Sequence, residues 1–208
     1  MAEEKYTSYE RVRKTLLHKE PDRIPFDLGA TPVTGMNVHL YTRLRDALGL
    51  PKIEPNISDI TQQLAFIDED VRNILSIDVR GVPNDPPLNK GYEKPVEKDG
   101  KYYKRTDAWG IQWKMPVENG HYFDMVGHPF AKYTTVEDLE HFNWPDPFDE
   151  GRFATLKKRN EEVIFSEKKA VVIGSDPGIW ELALWTNGFE KFFADMAAEK
   201  EYAHAVMR

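Results

Sequence analysis

Two short apolar runs decide the fold, Ile77-Asp-Val-Arg-Gly-Val82 and Ala170-Val-Val-Ile173. Each run is followed at once by turn-forming residues, in Pro83-Asn-Asp-Pro-Pro87 and in Gly174-Ser-Asp-Pro-Gly178. A compact apolar run bounded in this way is typical of a strand that is buried on both faces. A third segment, Arg23-Ile-Pro-Phe-Asp-Leu28, is also strand-like and leads into a loop rich in Gly, Thr and Pro.

Amphipathic stretches separate the three predicted strands. Thr7-Ser-Tyr-Glu10 is a capping-box pattern that starts a helix ending before Pro21. Residues 38–48 carry an apolar helical stripe that Gly49 ends, and residues 60–75 repeat apolar side chains with the period of a helix. Strands that alternate with amphipathic helices favour a parallel sheet covered by helices.

The middle of the chain departs from this alternation. Aromatic residues between 101 and 127 occur in short runs, and Asn119-Gly120 is a type I′ turn signal. We therefore predict an antiparallel hairpin insertion of two or three strands over about 101–127. Four helices are predicted after it: one capped by Thr135, one over about 149–165, one that Gly188 ends and a last one over 189–207.

Composition excludes several classes of function. The chain has 208 residues and a formal charge of −7 without a block of Lys or Arg, so nothing indicates a nucleic-acid partner. It has no cysteine, which excludes disulfides, thiolate zinc sites and cysteine nucleophiles. The apolar runs are far shorter than the roughly 20 residues that cross a bilayer, and the acidic first residues lack the apolar core of a signal peptide. We expect no membrane association and a cytoplasmic location.

Several phrases resemble the uroporphyrinogen decarboxylase superfamily, in that family's order. Leu16-Leu-His-Lys-Glu-Pro-Asp-Arg-Ile-Pro25 is similar to the phrase that leads into the family's first strand, and Leu75-Ser-Ile-Asp78 with Asp85 is similar to its second strand. Further phrases resemble its methyltransferase-like members and its helix pair after the third strand: Thr106-Asp-Ala-Trp-Gly110, Val126-Gly-His-Pro129, Trp144-Pro-Asp-Pro147, and Trp180-Glu-Leu-Ala183 followed by 188–195.

The resemblance implies a TIM-type (β/α)₈ barrel that is longer than this chain. Three parallel strands are too few to close such a barrel. We therefore expect residues 1–208 to form a single α/β domain that is the N-terminal half of a barrel, incomplete at its C-terminus, with the hairpin insertion at about 101–127. Active sites of these barrels lie in the loops at the carboxyl ends of the strands.

Those loops supply the candidate site residues. The resemblance places a catalytic carboxylate at Asp85, and Asp27 is a second carboxylate at a strand end. Each also has a structural interpretation, since Asp27 can cap its own loop and Asp85 can form an Asx turn before Pro86. The residues expected to bind substrate are Arg80, Thr31, Thr34, Ser175 and Asp176.

No metal ligand is assigned within the chain. His121 and His128 flank Asp124, but their spacing matches no zinc pattern, and the two faces of a hairpin alternate. Asp78, at the start of its predicted strand, is expected to be structural.

The loop after the first predicted strand departs from the true decarboxylases of this family. In them a Met-Arg-Gln-Ala-Gly-Arg phrase follows that strand, and its arginines bind the carboxylates of the tetrapyrrole. Residues 26–35 here contain no arginine, and Asp27 adds a negative charge. The resemblance to the methyltransferase branch therefore implies transfer of a methyl group between a small methylated substrate and a corrinoid protein. Zinc, held by residues outside this chain, would act as the Lewis acid.

Two other interpretations stay open. One is a uroporphyrinogen-type decarboxylase, a lyase of porphyrin biosynthesis, in which Asp85 stabilises positive charge on a pyrrole. The other is a non-catalytic half-barrel that needs a complementary C-terminal half or a homo-oligomer, and whose apolar helix stripes leave an exposed edge. The family is enzymatic, but because the C-terminal half is missing, the activity of the 208-residue chain itself stays open.

Overall fold

The computed structural model describes residues 5–174 and 178–208. The described chain is mixed α/β, which confirms the predicted class, and its described strands form small sheets without closing a barrel. Its packing divides it into two compact units, called here the first unit (within Met1–Pro86 and Glu150–Ser175) and the second unit (within Pro87–Asp149 and Asp176–Arg208). The expectation of a single domain stays a prediction.

The regular elements follow one another in a mixed order. They are, along the chain, α1 (Ser8–Leu16), a 3₁₀ turn (Pro32–Thr34), α2 (Val38–Ala47), β1 (Ile57–Asp59), β2 (Leu64–Ala65), α3 (Glu69–Ile74), β3 (Val79–Gly81), β4 (Lys94–Asp99), β5 (Tyr102–Thr106), β6 (Gln112–Pro116), β7 (Asp124–Gly127), α4 (Val136–Glu140), a 3₁₀ turn (Glu150–Phe153), α5 (Leu156–Glu161), a π-helical turn (Glu162–Ser166), β8 (Ala170–Val172), α6 (Ile179–Asn187), α7 (Phe189–Ala198) and α8 (Lys200–Val206). None of the helices in the described part of the chain is long and apolar enough to span a membrane.

A parallel pair of strands lies in the first unit. β3 pairs with β8 in register, with Val79 opposite Ala170 and Gly81 opposite Val172. Two of the three predicted strands are thereby confirmed. The third is wrong as a strand, because residues 23–28 form no ladder. Pro25 has no N–H to donate, and one backbone bond, from the N–H of Asp78 to the carbonyl of Phe26 at 2.9 Å, holds this segment beside the sheet.

The core of the first unit is formed by residues from different elements. Tyr41 on α2, Ala65 on β2, Val71 on α3 and Ile77 before β3 are buried together with Ile67. The helix predicted over 60–75 is therefore wrong in its first half, where β1 and β2 form a hairpin, and only α3 is helical.

A tight turn explains this difference. Gln63 adopts a φ of 53°, in the left-handed region that no helix interior allows, and the carboxylate of Asp59 accepts the N–H of Gln62 at 2.7 Å. The apolar residues between 60 and 75 have helical spacing, but they enter the same core from two different elements, β2 and α3.

An antiparallel sheet of four strands, β4-β5-β6-β7, lies in the second unit. The predicted insertion is confirmed as antiparallel, but it has four strands and begins at Lys94, where the exposed strand β4 has no apolar alternation to mark it. The tight hairpin turn falls at Gly100, with a φ of 58°, between β4 and β5. Asn119-Gly120 lies instead in a longer loop between β6 and β7.

A buried carboxylate organises the connection between β5 and β6. One oxygen of Asp107 accepts the N–H groups of Trp109 and Ile111, each at 3.0 Å, and the other accepts the indole N–H of Trp113 at 2.8 Å. Burial raises the pKa of Asp107 despite these bonds. The segment Thr106-Asp-Ala-Trp-Gly110 is thus a turn that is held by hydrogen bonds to the Asp107 carboxylate.

Aromatic and apolar side chains fill the second unit. One cluster contains Ile111, Trp113, Met115 and Phe123. Another contains Phe130, Leu139, Phe142 and Tyr202.

Asp149 joins two distant parts of the second unit. Its carboxylate accepts the N–H groups of Leu88 and Asn89 at 2.9 and 3.0 Å. That last contact ties the start of the segment 88–149 to its end.

Helix termini follow the predictions in part. Thr7 and Thr135 form complete capping boxes at α1 and α4, and Gly188, with a φ of 87°, separates α6 from α7. The charged helix predicted over 149–165 is broken into a 3₁₀ turn, α5 and the π-helical turn. The helix predicted over 189–207 is interrupted at Glu199, where φ is −121° and ψ is 59°.

Candidate functional site

The carboxyl ends of β3 and β8 meet beneath one loop of the first unit, residues 29–34. A Cβ added to Gly81 would lie 1.8 Å from the carbonyl oxygen of Ala30, and a Cβ added to Gly174 would lie 3.0 Å from Cγ2 of Thr31. Glycine at position 81 is required because the loop backbone passes directly against the strand. The structure therefore brings Thr31 to the strand ends, where the sequence predicted a site.

Asp27 and the threonines stabilise that loop internally. Asp27 Oδ1 accepts the N–H of Ala30 at 3.2 Å, and the N–H of Gly29 donates to the carbonyl of Thr34 at 2.9 Å. The hydroxyl of Thr34 donates to the carbonyl of Thr31 at 3.3 Å. These bonds agree with the loop-capping interpretation of Asp27. Its catalytic role, and substrate binding by Thr31 and Thr34, stay predictions.

Asp85 joins the loop after β3 to the start of α5. Its carboxylate accepts the N–H of Thr155 at 2.7 Å, the hydroxyl of Thr155 at 2.8 Å and Nη2 of Arg159 at 3.0 Å. The bonds from Thr155, with the charge of Arg159, hold the pKa of Asp85 below its ordinary value. The group is therefore an anion at neutral pH, suited to holding a cation or stabilising positive charge and unsuited to donating a proton.

The pH dependence of stability tests this description of Asp85. A carboxyl whose pKa is lower in the folded state stabilises fully above its unfolded value, near 3.8, and loses that contribution as pH falls through the lower folded value. We expect Asp85→Asn to be less stable than the parent near neutral pH, with a difference that shrinks as pH falls toward about 3. Urea midpoints at about pH 7, 5 and 3 measure it.

A matched control for that series is Asp46→Asn. Asp46 is mostly exposed and lies 3.9 Å from Lys52, so its replacement should change stability little at any of the three pH values. A stability difference for Asp85→Asn that varies between about pH 6 and 8 would instead indicate a carboxyl with a near-neutral pKa, contrary to the contacts above.

Arg80 is buried on β3 and is already paired. Its Nε donates to Glu167 and its Nη2 to Glu69, both at 3.0 Å. The guanidinium thus links α3 to the turn before β8, and a substrate carboxylate would compete with two protein carboxylates for it. Substrate binding by Arg80 stays a prediction, and its acidic partners are residues that the sequence reasoning did not find.

The other candidates from the sequence are Ser175, Asp176 and the histidines near Asp124. Ser175 and Asp176 lie outside the described residues. His128 makes a 2.7 Å hydrogen bond through Nδ1 with the carbonyl of Trp185, and a Cβ at Gly188 would lie 3.2 Å from its ring. Within 5–174 and 178–208 no three His, Asp or Glu side chains are grouped so that they could hold a metal ion.

Asp78 accepts hydrogen bonds from two arginines and from a backbone N–H at the opposite end of β3 from this loop. Its carboxylate is fully buried and accepts Nη1 of Arg11 at 2.5 Å, Nη1 of Arg23 at 2.6 Å and the N–H of Phe26 at 2.9 Å. Asp22 completes the cluster through Arg11. These contacts agree with the structural role expected for Asp78.

Comparisons with protein-family models, with curated proteins and with solved structures found no match. The chemistry of the strand-end loop therefore has to be argued from the contacts of its own residues. The described contacts bring Thr31 to the ends of the two parallel strands, whereas Asp27 and Asp85 are held by separate sets of hydrogen bonds.

Proposed function

We propose that this chain is the N-terminal part of a (β/α)₈ barrel of the uroporphyrinogen decarboxylase superfamily, in its methyltransferase branch. It would take part in moving a methyl group between a small methylated substrate and a corrinoid protein. The observation that carries the proposal is the meeting of the β3 and β8 ends beneath the 29–34 loop. Functional loops of such barrels occupy this end of the strands.

The order of the segments supports the barrel proposal. β3 pairs in parallel with β8, which follows it in the sequence, and the N–H of Asp78 donates to the carbonyl of Phe26. Parallel neighbours of this kind require crossover connections, and helices lie in the sequence between them. A sheet with sequential parallel neighbours is the arrangement that a (β/α)₈ barrel repeats.

The charges around the loop support methyl transfer over tetrapyrrole decarboxylation. Residues 26–35 contain no arginine, and Asp27 contributes a carboxylate. The nearest arginine in the sheet, Arg80, is paired with Glu69 and Glu167. A substrate with several carboxylates would meet net negative charge here, whereas a small neutral methyl donor would not.

The proposal includes components beyond this chain. Zinc would be held by His, Cys or Glu residues of a complementary C-terminal half, and would polarise the oxygen or sulfur that gives up or accepts the methyl group. Asp85, whose carboxylate accepts from Thr155 and Arg159, would take part in substrate binding only by exchanging its bond with Arg159 for one with the substrate. A cytoplasmic location is part of the same proposal.

Ligand binding distinguishes the two chemistries. We expect uroporphyrin I, a stable tetrapyrrole with many carboxylates, to show no saturable quenching of tryptophan fluorescence at micromolar concentration. Saturation-transfer NMR with a panel of methanol, trimethylamine and methoxyphenol should show contact for at least one compound. Thr31→Val should reduce that contact, because Thr31 lies at the strand ends.

Thr42→Val is the matched control, since the hydroxyl of Thr42 donates to the Val38 carbonyl on an exposed face of α2. Uroporphyrin binding at micromolar concentration would contradict the preference for methyl transfer and favour the decarboxylase. Equal NMR contact in the two threonine variants would remove the strand-end loop from the proposal.

A non-catalytic half-barrel is the second candidate, and exposed apolar side chains in the first unit favour it. Ile24 is 85% exposed and Val33 is 94% exposed, and Ile173 follows β8 on the surface. Apolar side chains beside a strand edge favour association with a further chain. We expect light scattering to show concentration-dependent self-association, whereas a monodisperse monomer at all concentrations would contradict this candidate.

A further inference from the structure

A groove of about 670 Å³ lies in the first unit between α1 and the π-helical turn, and is called here the α1 groove. Its walls are joined to one another. The N–H of Tyr9 donates to the carbonyl of Lys168 at 3.1 Å, and Nζ of Lys169 donates to the hydroxyl of Ser8 at 3.2 Å. The groove is therefore formed before any ligand arrives, which lowers the entropy cost of binding.

Apolar and aromatic side chains line the α1 groove. Tyr6 lies just before α1 and Tyr9 in its first turn, and Ile164 and Phe165 come from the opposite wall. Phe165 is 74% exposed, although burial of a phenylalanine ring is favourable. An aromatic ring left this open beside two tyrosines is suited to receive an apolar side chain from outside.

The charge of the α1 groove is opposite to that of the chain. Arg13, Lys14 and Lys168 line it, while the chain as a whole carries −7. Lys14 Nζ lies 4.4 Å from the centre of the Tyr6 ring, so cation and aromatic surface are adjacent.

One carboxylate, Glu10, also lines the groove and is hydrogen-bonded within the capping box of α1. It accepts the N–H and the hydroxyl of Thr7, both at 2.9 Å, in the capping box of α1. The backbone and side-chain bonds from Thr7 hold the pKa of Glu10 below its ordinary value, so it stays ionised, and the three cations outnumber it. The groove keeps a positive charge.

We propose that the α1 groove binds an acidic peptide segment of a partner protein, which places one aromatic side chain against Phe165 and Tyr9. Its carboxylates would pair with Arg13, Lys14 and Lys168. An extended, open groove with cations on both walls suits a chain of several carboxylates, and charge complementarity selects an acidic partner. This proposal is independent of the methyltransferase proposal, because it uses none of the strand-end residues.

Binding of a synthetic acidic peptide tests the proposal. The probe is a fluorescein-labelled Glu-Glu-Glu-Trp-Glu-Glu-Glu peptide, titrated with the full chain and followed by fluorescence anisotropy. We expect a Kd on the order of 10–100 µM at low salt, weakening as salt rises. Peptides with lysine in place of every glutamate, or alanine in place of the tryptophan, should bind at least about tenfold more weakly.

Two pairs of matched variants locate the binding. Phe165→Ala and Arg13→Glu should each weaken the acidic peptide by about 5–10-fold. The controls, Phe148→Ala and Arg43→Glu, change exposed residues of the same type outside the groove, and binding should stay within about twofold of the parent. Circular dichroism melts verify that all four variants fold.

Either of two results would overturn the proposal: no saturable binding of the acidic tryptophan peptide, or equal losses in the groove variants and their controls. Binding of the lysine peptide with equal affinity would do the same, because it would show that charge does not select the ligand.

Discussion

Asp78→Ala will lower the free energy of unfolding by about 3–5 kcal/mol, the cost of breaking a buried ion pair by removing one of its members. Arg11, whose side chain is fully buried, donates to Asp78, and Arg23 donates to the same carboxylate. Burial of Asp78 opposes its ionisation, yet the bonds from Arg23, Phe26 and Arg11 still hold its pKa below the ordinary value. Removing the carboxylate leaves the Arg11 guanidinium with Asp22 as its remaining carboxylate partner.

Urea denaturation followed by circular dichroism at 222 nm measures this change. Asp46→Ala is the control, because its carboxylate is 53% exposed and lies 3.9 Å from Lys52, and it should cost no more than about 0.5–1 kcal/mol. If Asp78→Ala cost as little as the control, the buried cluster would not hold the segment before β3 against α1.

Phe130→Ala will have an effect of similar size in the second unit, about 3–5 kcal/mol. Phe130 is 1% exposed and packs edge-on to Phe142, with ring centroids 4.7 Å apart, and stacks on Tyr133 at 5.1 Å. Truncation removes the ring from a cluster that also contacts Trp144 at 5.7 Å. The cost combines the lost burial with the cavity that remains.

Near-UV circular dichroism, which responds to packed aromatic rings, measures the unfolding of this cluster in urea. Phe148→Ala removes the same ring from a position that is 84% exposed, and it should change stability by no more than about 0.5 kcal/mol. Equal midpoints for the two alanine variants would show that the Phe130 cluster contributes little to the fold.

Local patterns predicted the parts of the fold whose causes are local. The capping boxes at Thr7 and Thr135 formed because donor and acceptor lie three residues apart. Runs such as Ala170-Val-Val became strands because β-branched side chains fit a pleated, partly buried surface. The segment at Pro25 did not, since a residue without an N–H cannot complete a ladder.

Long-range partners could not be predicted in the same way. Asp85 is fixed by Thr155 and Arg159, some seventy residues away, and Arg80 by Glu167. The sequence around Asp85 or Arg80 does not indicate which charged residue each of them will contact in the folded chain. The loop at the strand ends could be predicted from the alternation of strands and helices, while the pairing of the charged residues near it depended on tertiary contacts.

The carboxylate of Asp149 has a consequence for how this architecture could be altered. Because it accepts the N–H groups of Leu88 and Asn89, the long excursion between β3 and α5 leaves and returns at one point. A detour whose ends already touch can be shortened, exchanged or grafted without stretching the flanking elements, and closure entropy grows only slowly with its length. A segment joined at Asp149 in its place would also have to provide an apolar face for Tyr202, which packs with Phe130.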